Sequence, residues 1–407
     1  MRTIISLTAA AFVAVSPALT ARAQHAGNFG ISANPVNNGA YFASGDATVS
    51  SDLGNRAVFV GKTDTASPAT NFQTATPNPP ITLTIAPGAK VDNTGAVYPD
   101  GGIYRSVSVF GGNRVVMNGG DVASAFVADT ATFRLNGGNL FAGYTTSGTG
   151  RAEIAGGTVG RAFSYTNTAQ TGGTIGELFA FGGVANVSGG TVSMYIDARN
   201  GSTVTVTGGT IASAFASDTS VLNIGGGTVM QALSNTVTNI YGGTVGYLQT
   251  NQVSTTNITG GSITAFNAII DSVTNFRGGF LPDSRLQQSS VLNLFGGTIT
   301  GTVFQLSNAA TANFHGQAVA FSNAIAGAVP VQYGTGNGVY YDVAWTRADG
   351  SLLNTRYFDL DGNVDNATPQ GTTFTQTVAV PEPGTFTLVA ACFVAGASGG
   401  FGRKRTR

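Results

Sequence analysis

Hydrophobic and polar positions recur with one short period along the middle of the chain. Between Asn118 and Val319 the sequence repeats Gly-Gly, most often followed by Thr and then by an aliphatic residue. The first glycines of the twelve copies lie 16 to 20 residues apart, at Gly119, Gly137, Gly156, Gly172, Gly189, Gly208, Gly226, Gly242, Gly260, Gly278, Gly296 and, in degenerate form, Gly316. A period held over that many copies indicates a repeat architecture in which each copy is one structural unit.

The pattern within a copy predicts strands. With the first glycine as position 0, position +3 is aliphatic in all twelve copies and position −2 is apolar in eleven, with Gln170 as the exception. An aromatic residue or Leu recurs near +7, as at Phe163 and Phe179. The alternation is short and β-branched residues dominate, which favours strands. Two glycines in every repeat would strongly weaken a helix. Positions −2, +3 and about +7 are therefore predicted to point inward.

The fold class that follows is all-β. We expect a single-stranded parallel β-helix or β-solenoid of about 12 coils of ~18 residues, with the Gly-Gly pairs at its corners. A corner needs glycine where φ is positive or where a Cβ has no room. The usual chirality of parallel connections favours right-handed winding. The ends of such an array expose a sheet edge, so we expect β caps at both ends.

Asparagine occupies position −3 in several copies. It occurs in six successive ones and in one earlier one, at Asn223, Asn239, Asn257, Asn275, Asn293, Asn313 and Asn186. Amides stacked in register can hydrogen-bond from coil to coil as an Asn ladder. The alternative is a row of amides that bind sugars. Because the spacing follows the coil, the ladder is the favoured interpretation.

The domain organisation follows from where the period begins and ends. Residues 24–100 lack it and are predicted to form an irregular β N-cap, with strand-like stretches at 56–61 and 81–85. Residues 101–320 are predicted to form the solenoid. Residues 321–379 are predicted to form a C-terminal β cap, because Asp349-Gly350 between two β-prone runs is a hairpin signal.

Both ends of the chain carry targeting features. Residues 1–23 combine Arg2, an apolar run and Ala21-Arg22-Ala23, which is the pattern of a cleaved signal peptide. Residues 380–407 combine Pro381-Glu382-Pro383, an apolar run over 385–402 and a basic end. The apolar run predicts a C-terminal membrane helix, and the basic cluster would stay in the cytoplasm. That cluster contains Arg403, Lys404 and Arg405.

This three-part tail resembles the PEP-CTERM sorting signal of bacterial exported proteins. The resemblance rests on Pro381, Glu382, Pro383, the apolar run and the Arg403–Arg407 cluster. It implies processing by an exosortase-type sorting protease, export alongside exopolysaccharide, and a surface or extracellular location after transient anchoring in the inner membrane. A plain C-terminal anchor is the alternative. The Gly-Gly-Thr phrasing is similar to that of passenger regions of autotransporter-type adhesins.

Composition narrows the possible functions. Only 9% of residues are charged and the formal net charge is zero, so nucleic acid is not an expected partner. The single cysteine, Cys392, allows no intramolecular disulfide. The two histidines, His25 and His315, cannot form a His-based metal site or a catalytic triad with it. No cofactor is expected.

Two groups of carboxylates are candidates for chemistry. Asp197 and Asp218 lie in adjacent coils near the same phase, which makes them the one plausible catalytic pair; the alternative is two exposed turn aspartates. Asp359, Asp361 and Asp365 form a weak calcium candidate, because the glycine of this segment falls fourth rather than sixth as in an EF-hand loop. A solvated turn is the favoured interpretation there.

The sequence as a whole favours a non-enzymatic, exported structural or adhesive β-solenoid of the cell surface or of an extracellular, biofilm-type matrix associated with exopolysaccharide. One alternative is a carbohydrate-active β-helix enzyme, a polysaccharide lyase or hydrolase, centred near Asp197 and Asp218. The other is a glycan-binding module without catalysis.

Overall fold

The structure is a computed structural model that describes residues 40–42, 45–53, 58–61, 80–91, 107–145, 148–281, 284–299, 304–306, 310–331, 334–359 and 372–376. All regular elements within these ranges are β-strands, as predicted. The chain divides into two compact units, Met1–Ala152 and Glu153–Arg407. The predicted signal peptide, the predicted sorting segment 380–407, and Asp361 and Asp365 lie outside the described residues.

The first unit is built from short strands. They are β1 (Ala40–Phe42), β2 (Ala47–Val49), β3 (Val58–Val60), β4 (Thr82–Ile85), β5 (Lys90–Val91), β6 (Val107–Val109), β7 (Arg114–Met117), β8 (Asp121–Val127), β9 (Thr132–Leu135) and β10 (Asn139–Thr145), with β11 (Arg151–Ile154) at the division point.

Parallel pairing in the first unit begins before the Gly-Gly repeats. One column runs β2, β4, β7, β9 and the other runs β1, β3, β6, β8, β10, all parallel. In the first column Leu83, Val115 and Phe133 stand in register and are buried. The strands predicted within 56–61 and 81–85 are present as β3 and β4. The described part of the segment predicted as an N-terminal cap therefore pairs in the same manner as the repeats.

The second unit contains the longer series of repeats. Its strands are β12 (Thr158–Ser164), β13 (Asn167–Gln170), β14 (Thr174–Phe181), β15 (Val184–Val187), β16 (Thr191–Arg199), β17 (Thr203–Val206), β18 (Thr210–Ala216), β19 (Val221–Ile224), β20 (Thr228–Ser234), β21 (Val237–Ile240), β22 (Thr244–Thr250), β23 (Thr255–Ile258), β24 (Ser262–Ala268), β25 (Val273–Phe276), β26 (Phe280–Leu281), β27 (Ser284–Leu286), β28 (Val291–Leu294), β29 (Thr298–Ile299), β30 (Phe304–Leu306), β31 (Thr311–Val331), β32 (Gly334–Arg347), β33 (Leu352–Asp359) and β34 (Thr372–Gln376).

From β12 to β25 each coil supplies one short and one long strand, whereas the next two coils have two strands each after the corner, β26 and β27, then β29 and β30. The short strands before the Gly-Gly corners pair in parallel from β13 to β31, and the long strands after the corners pair in parallel from β12 onward. This is a parallel β-solenoid, and within the described residues its Gly-Gly corners mark about 11 turns rather than the expected 12.

The inward columns at −2 and +3 are confirmed. Side chains such as Ile175, Ile224 and Val229 are fully buried, and each contributes roughly 1.5–3 kcal/mol by leaving water. The one polar residue at −2, Gln170, is also buried. Its Nε2 donates to the backbone oxygens of Thr191, at 3.1 Å, and of Gly173, at 3.4 Å.

The prediction that position +7 points inward is wrong in most of the second unit. In β14 the inward residues are Leu178 at +6 and Ala180 at +8, whereas Phe179 at +7 lies on the outer face. Strand side chains alternate, so a straight count from +3 would place +7 inside. The backbone bends at +4, where Gly176 comes so close to Gly160 that an added Cβ would lie 2.4 Å from its oxygen. The bend shifts the alternation by one residue.

The Gly-Gly corners use their two glycines differently. The second glycine has positive φ in the eleven copies from Gly120 to Gly297, as at Gly173 with φ of 67°. At the first glycine the limit is space, because a Cβ on Gly172 would lie 2.3 Å from the backbone oxygen of Ala155. The degenerate twelfth copy, at Gly316, forms no such corner and lies inside β31.

The predicted Asn ladder is confirmed over six coils. Five bonds of 2.8–2.9 Å join six asparagines, and in each bond the Nδ2 of the later residue donates to the Oδ1 of the earlier one: Asn223, Asn239, Asn257, Asn275, Asn293 and Asn313. Asn186 does not belong to the ladder, because Thr205 stands between it and Asn223 in the register.

The repeats of the second unit are followed by antiparallel strands. β31 pairs with β32, and β32 pairs with β33 through the predicted hairpin at Asp349-Gly350, where Gly350 has φ of 82°. Trp345 is fully buried, with its ring 5.7 Å from that of Phe314 in an edge-on arrangement. That these strands act as a cap stays a prediction.

Candidate functional site

The outer side of β12, β14, β16 and β18 carries a concentration of aromatic and charged side chains. We call it the aromatic–ionic face and define it by Tyr165, Phe163, Phe179, Phe181, Phe215, Arg161, Glu177, Tyr195, Asp197 and Arg199. Parallel register sets its columns, because equivalent positions of successive coils lie beside each other. Arg161, Glu177 and Tyr195 form one column. Asp197 stands between Phe179 and Phe215 in the next column.

One extra residue in β16 builds the centre of this face. The pairing of β16 with β14 shifts in register between Ile175 and Glu177 of β14. Its pairing with β18 shifts between Val192 and Ile196 of β16. The bulge absorbs a residue near Met194, whose side chain is exposed. Bulges redirect the side chains that follow them. Here the bulge brings Tyr195 beside Glu177.

The aromatic rings contact one another across the coils. Phe163 and Phe179 stack with centroids 4.9 Å apart and planes 8° apart. Tyr195 meets Phe179 edge-on at 5.5 Å and Phe215 at 6.1 Å. Such pairs contribute about 0.5–1.5 kcal/mol each beyond their buried area. The strip is therefore a rigid, half-buried apolar surface rather than a set of free side chains.

Two ion pairs flank the aromatic strip. The Nε of Arg161 lies 2.8 Å from an oxygen of Glu177, and Arg199 binds Asp197 through two nitrogens at 2.8 and 2.7 Å. The guanidinium side chains of Arg161 and Arg199 are 55% and 53% exposed, whereas the carboxylate side chains are 12% and 9% exposed. The carboxylates are thus held inside and the cations face solvent.

Tyr195 and Arg199 both hold their protons on this face. Burial, followed by the charges of Glu177 and Asp197, raises the pKa of Tyr195, so its phenol keeps its proton and is suited to hydrogen bonding. The hydrogen bond to Asp197 raises the pKa of Arg199, which stays charged.

The two predicted catalytic aspartates occupy different environments. Asp197 lies on β16, is 6% exposed and is paired with Arg199. Asp218 lies in the exposed turn after β18, with φ of 58°, three residues beyond the register partner of Asp197. Its charge reaches Arg199, whose pKa it helps to raise. The turn interpretation fits Asp218 and not Asp197.

Sequence reasoning missed most of this face. Arg161 and Glu177 share the offset +5, but Tyr195 lies at +6 and Arg199 at +10, and the inward prediction near +7 places the aromatic residues in the core. One signal was available: the copy from Gly189 to Gly208 is 19 residues long against 17 for the copy before it. An insertion in the long strand is what brings Asp197 into a column of phenylalanines.

A polar extension continues the same outward columns over β20, β22 and β24. Its hydrogen bonds run from the Tyr247 hydroxyl to Gln249 at 2.9 Å, from Gln249 to Asn251 at 2.8 Å and from Asn251 to Asn235 at 3.2 Å. The Asn267 amide donates to the Tyr247 oxygen at 3.4 Å. We call this set the amide extension; it offers amide and phenol groups beside the aromatic–ionic face.

Of the three predicted calcium ligands, Asp359 alone lies among the described residues. None of these residues forms a group of three or more His, Cys, Asp or Glu side chains able to hold an ion. Asp359 is the last residue of β33, opposite Val339. His315 stacks on Phe295 at 4.1 Å, and burial together with Arg277 lowers its pKa. His25 and Cys392 lie outside the described ranges.

No helix long and apolar enough to cross a membrane occurs in the described part of the chain, and the predicted run 385–402 lies beyond it. Comparisons with protein-family models, with curated proteins and with solved structures each return no match for this chain.

Proposed function

We propose that the chain is a non-enzymatic, exported structural and adhesive solenoid of the cell surface or of an extracellular matrix rich in exopolysaccharide. Support comes from how completely the repeated residues are used by the scaffold. The glycines form the corners, the −2 and +3 side chains fill the interior, and the −3 amides join the coils. The unrepeated residues of the second unit's outer side are left to make contacts.

The observation that carries the proposal is the pairing of the carboxylates on the aromatic–ionic face. Each of Glu177 and Asp197 is already neutralised by a guanidinium at 2.7–2.8 Å. A carboxylate held in this way is a poor general base or nucleophile, because both roles need a free acceptor. The arrangement is suited to a rigid surface that holds a ligand.

The localisation of the protein is part of the same proposal. Residues 1–23 direct export, and Pro381, Glu382 and Pro383 are read by an exosortase-type protease while the run 385–402 crosses the inner membrane. Arg403, Lys404 and Arg405 hold the end of the chain in the cytoplasm until processing. Right-handed winding and β caps at both ends complete the proposed architecture.

Fractionation of cells tests this address. The tagged full-length chain is expressed in a bacterium with an exosortase-type system, and the expected result is a shortened chain in the surface and extracellular fractions. Alanines at Pro381, Glu382 and Pro383 should leave the full-length chain in the inner membrane. Alanines at Thr385 and Thr387, which leave the motif intact, should change nothing. A wild-type chain confined to the cytoplasm would overturn the proposal.

The enzyme alternative is favoured by one observation, the presence of the carboxylates Glu177 and Asp197 on neighbouring strands of one face. A polysaccharide lyase or hydrolase would act there, with Asp218 as the other sequence candidate. The purified full-length chain is incubated with acidic and neutral polysaccharides, and no cleavage is expected. Cleavage that disappears in Asp197→Asn would establish the enzyme instead.

A further inference from the structure

We infer that the aromatic–ionic face and the amide extension bind an anionic polysaccharide, with its uronate carboxylates held by Arg161 and Arg199. This inference rests on the proposed function, because it names the ligand class of the same surface. It goes beyond that function by assigning the charge of the polymer and the residues that recognise it.

The exposed charges within the face itself are the two guanidiniums, and the exposed Asp218 carboxylate lies near Arg199 in the turn after β18. Both guanidiniums are more than half exposed, while the carboxylates that pair with them are almost covered. A guanidinium carries five N–H donors, and the pair with Asp197 uses two of those of Arg199. Donors remain on the solvent side of each guanidinium. Because Asp197 holds Arg199 through two nitrogens and Glu177 holds Arg161 at Nε, less orientation entropy is lost when a second carboxylate binds.

The two guanidiniums are spaced for a polymer rather than for a single small anion. Arg161 lies on β12 and Arg199 on β16, two coils further, which is about 10 Å along the coil axis. They also flank opposite sides of the column that contains Phe163 and Phe179. A chain with repeated carboxylates can engage both cations while it crosses the aromatic strip.

The surface between the cations suits sugar rings. A pyranose ring presents C–H groups to apolar surfaces and hydroxyls to polar ones. The aromatic strip provides the first kind of contact, with Tyr165 exposed at its edge. The phenol oxygen of Tyr195, whose proton is donated to Glu177, can accept a hydrogen bond, and the amides of Gln249, Asn251 and Asn267 complete the second kind of contact. Aromatic side chains add contact area at a low cost in conformational entropy.

The length of this surface also fits an extended polymer. The columns continue in register from β12 to β24, which is six coil spacings or roughly 29 Å. Nucleic acid is a poorer fit, since it needs clustered Lys and Arg rather than two cations among amides.

The test is a binding measurement on the full-length protein with three polymers. Polygalacturonate carries the proposed carboxylates, its methyl ester keeps the sugar chain without the charge, and dextran sulfate carries a different anion. We expect polygalacturonate to bind at least about tenfold more tightly than its methyl ester, and more tightly than dextran sulfate. Binding should weaken as salt is raised, because exposed charges are screened.

Variants assign the binding to the two cations. The double variant Glu177→Gln with Arg161→Gln removes this cation together with its partner charge and should weaken polygalacturonate binding about tenfold, which corresponds to the loss of one charge-assisted hydrogen-bonded contact. Arg199→Gln alone would leave Asp197 buried without its cation, so the double variant Asp197→Asn with Arg199→Gln removes both charges and should lose binding while remaining folded. Arg277→Gln is the matched control, because Arg277 packs over the Phe295 ring outside the face.

Any one of three results would overturn the inference. They are equal binding of the charged polymer and its ester, tighter binding of dextran sulfate, and unchanged binding by both variants. Fractionation of the same variants separates this result from the proposed function. A variant that reaches the surface but no longer binds supports the inference, whereas a wild-type chain that never leaves the cytoplasm contradicts the proposed function whatever it binds in solution.

Discussion

At the scale of single residues, position rather than residue type decides what a side chain does in this chain. Phe266 at +6 is buried, whereas Phe179 at +7 lies on the outer face. Both residues were predicted to point inward near +7, because the spacing from the glycines does not reveal the bend at +4. Residues with a fixed backbone role, such as the corner glycines, were predictable. Residues whose role depends on the direction in which the side chain points, such as Tyr195, were not predictable.

The corner glycines give the first prediction. Gly173→Ala should destabilise the protein by about 1–3 kcal/mol, because the residue has φ of 67° and its Cβ would lie 2.7 Å from the backbone of Gly156. Gly225→Ala is the control, since the nearest atom to its Cβ is 3.8 Å away and its φ is not positive. Urea unfolding of both variants measures the difference. Equal stability of the two would show that the corner tolerates a side chain.

A second prediction concerns His315. Its pKa is lowered by burial and by Arg277, so between the folded pKa and the ordinary value near 6.5 the unfolded state binds more protons. The free energy of unfolding should therefore fall as the pH drops below about 6.5. His315→Phe keeps an aromatic ring against Phe295 and should remove this dependence. Urea titrations from pH 5 to 7.5 measure it, and an unchanged slope in the variant would exclude His315 as its source.

At the scale of elements, the short strands are joined by side chains as well as by backbone. The Asn ladder was predictable because its period equals that of the coil. The aromatic–ionic face was not, because it depends on the bulge in β16 and on a change of residue type within each column. A column in which every coil has the same residue can be recognised from spacing alone. A column that changes from Phe179 to Asp197 can be recognised only when the register of the paired strands is known.

The ladder gives a third prediction, which compares its middle with its end. Asn257 makes two ladder bonds, one to Asn239 and one from Asn275, whereas Asn223 at the end accepts one from Asn239. Asn257→Ala should cost about 1–3 kcal/mol and Asn223→Ala about 0.5–1.5 kcal/mol, because a typical hydrogen bond contributes about 1 kcal/mol. Denaturant midpoints of the two variants give the comparison. A larger loss at Asn223 would argue against additive bonds along the ladder.

At the scale of the molecule, each unit's stability should be a sum of coil terms and contacts between neighbouring coils, as in other repeat arrays. The number of repeats was predictable to within about one coil. The difference is the copy at Gly316, which keeps the spacing of the repeat but lacks its second glycine and lies inside β31. Function was less accessible, since the repeated residues maintain the scaffold and the distinctive chemistry lies where the repeat is broken.

Removing one whole coil of the second unit is the fourth prediction. Deletion of residues 243–260 joins Gly242 to Gly261, so it restores a Gly-Gly corner, brings Ile240 into register with Phe276, and places Asn239 beside Asn275. Every inward column and the ladder therefore continue, and the shortened protein should fold with a cooperative transition and a smaller denaturant m-value, because less surface is exposed on unfolding.

Deletion of residues 243–251 removes half a coil and would bring short-strand positions opposite long-strand positions, so this matched variant should not fold. Circular dichroism and urea unfolding distinguish the two. If both deletions fold equally well, the coils are held together by something other than the register of their columns.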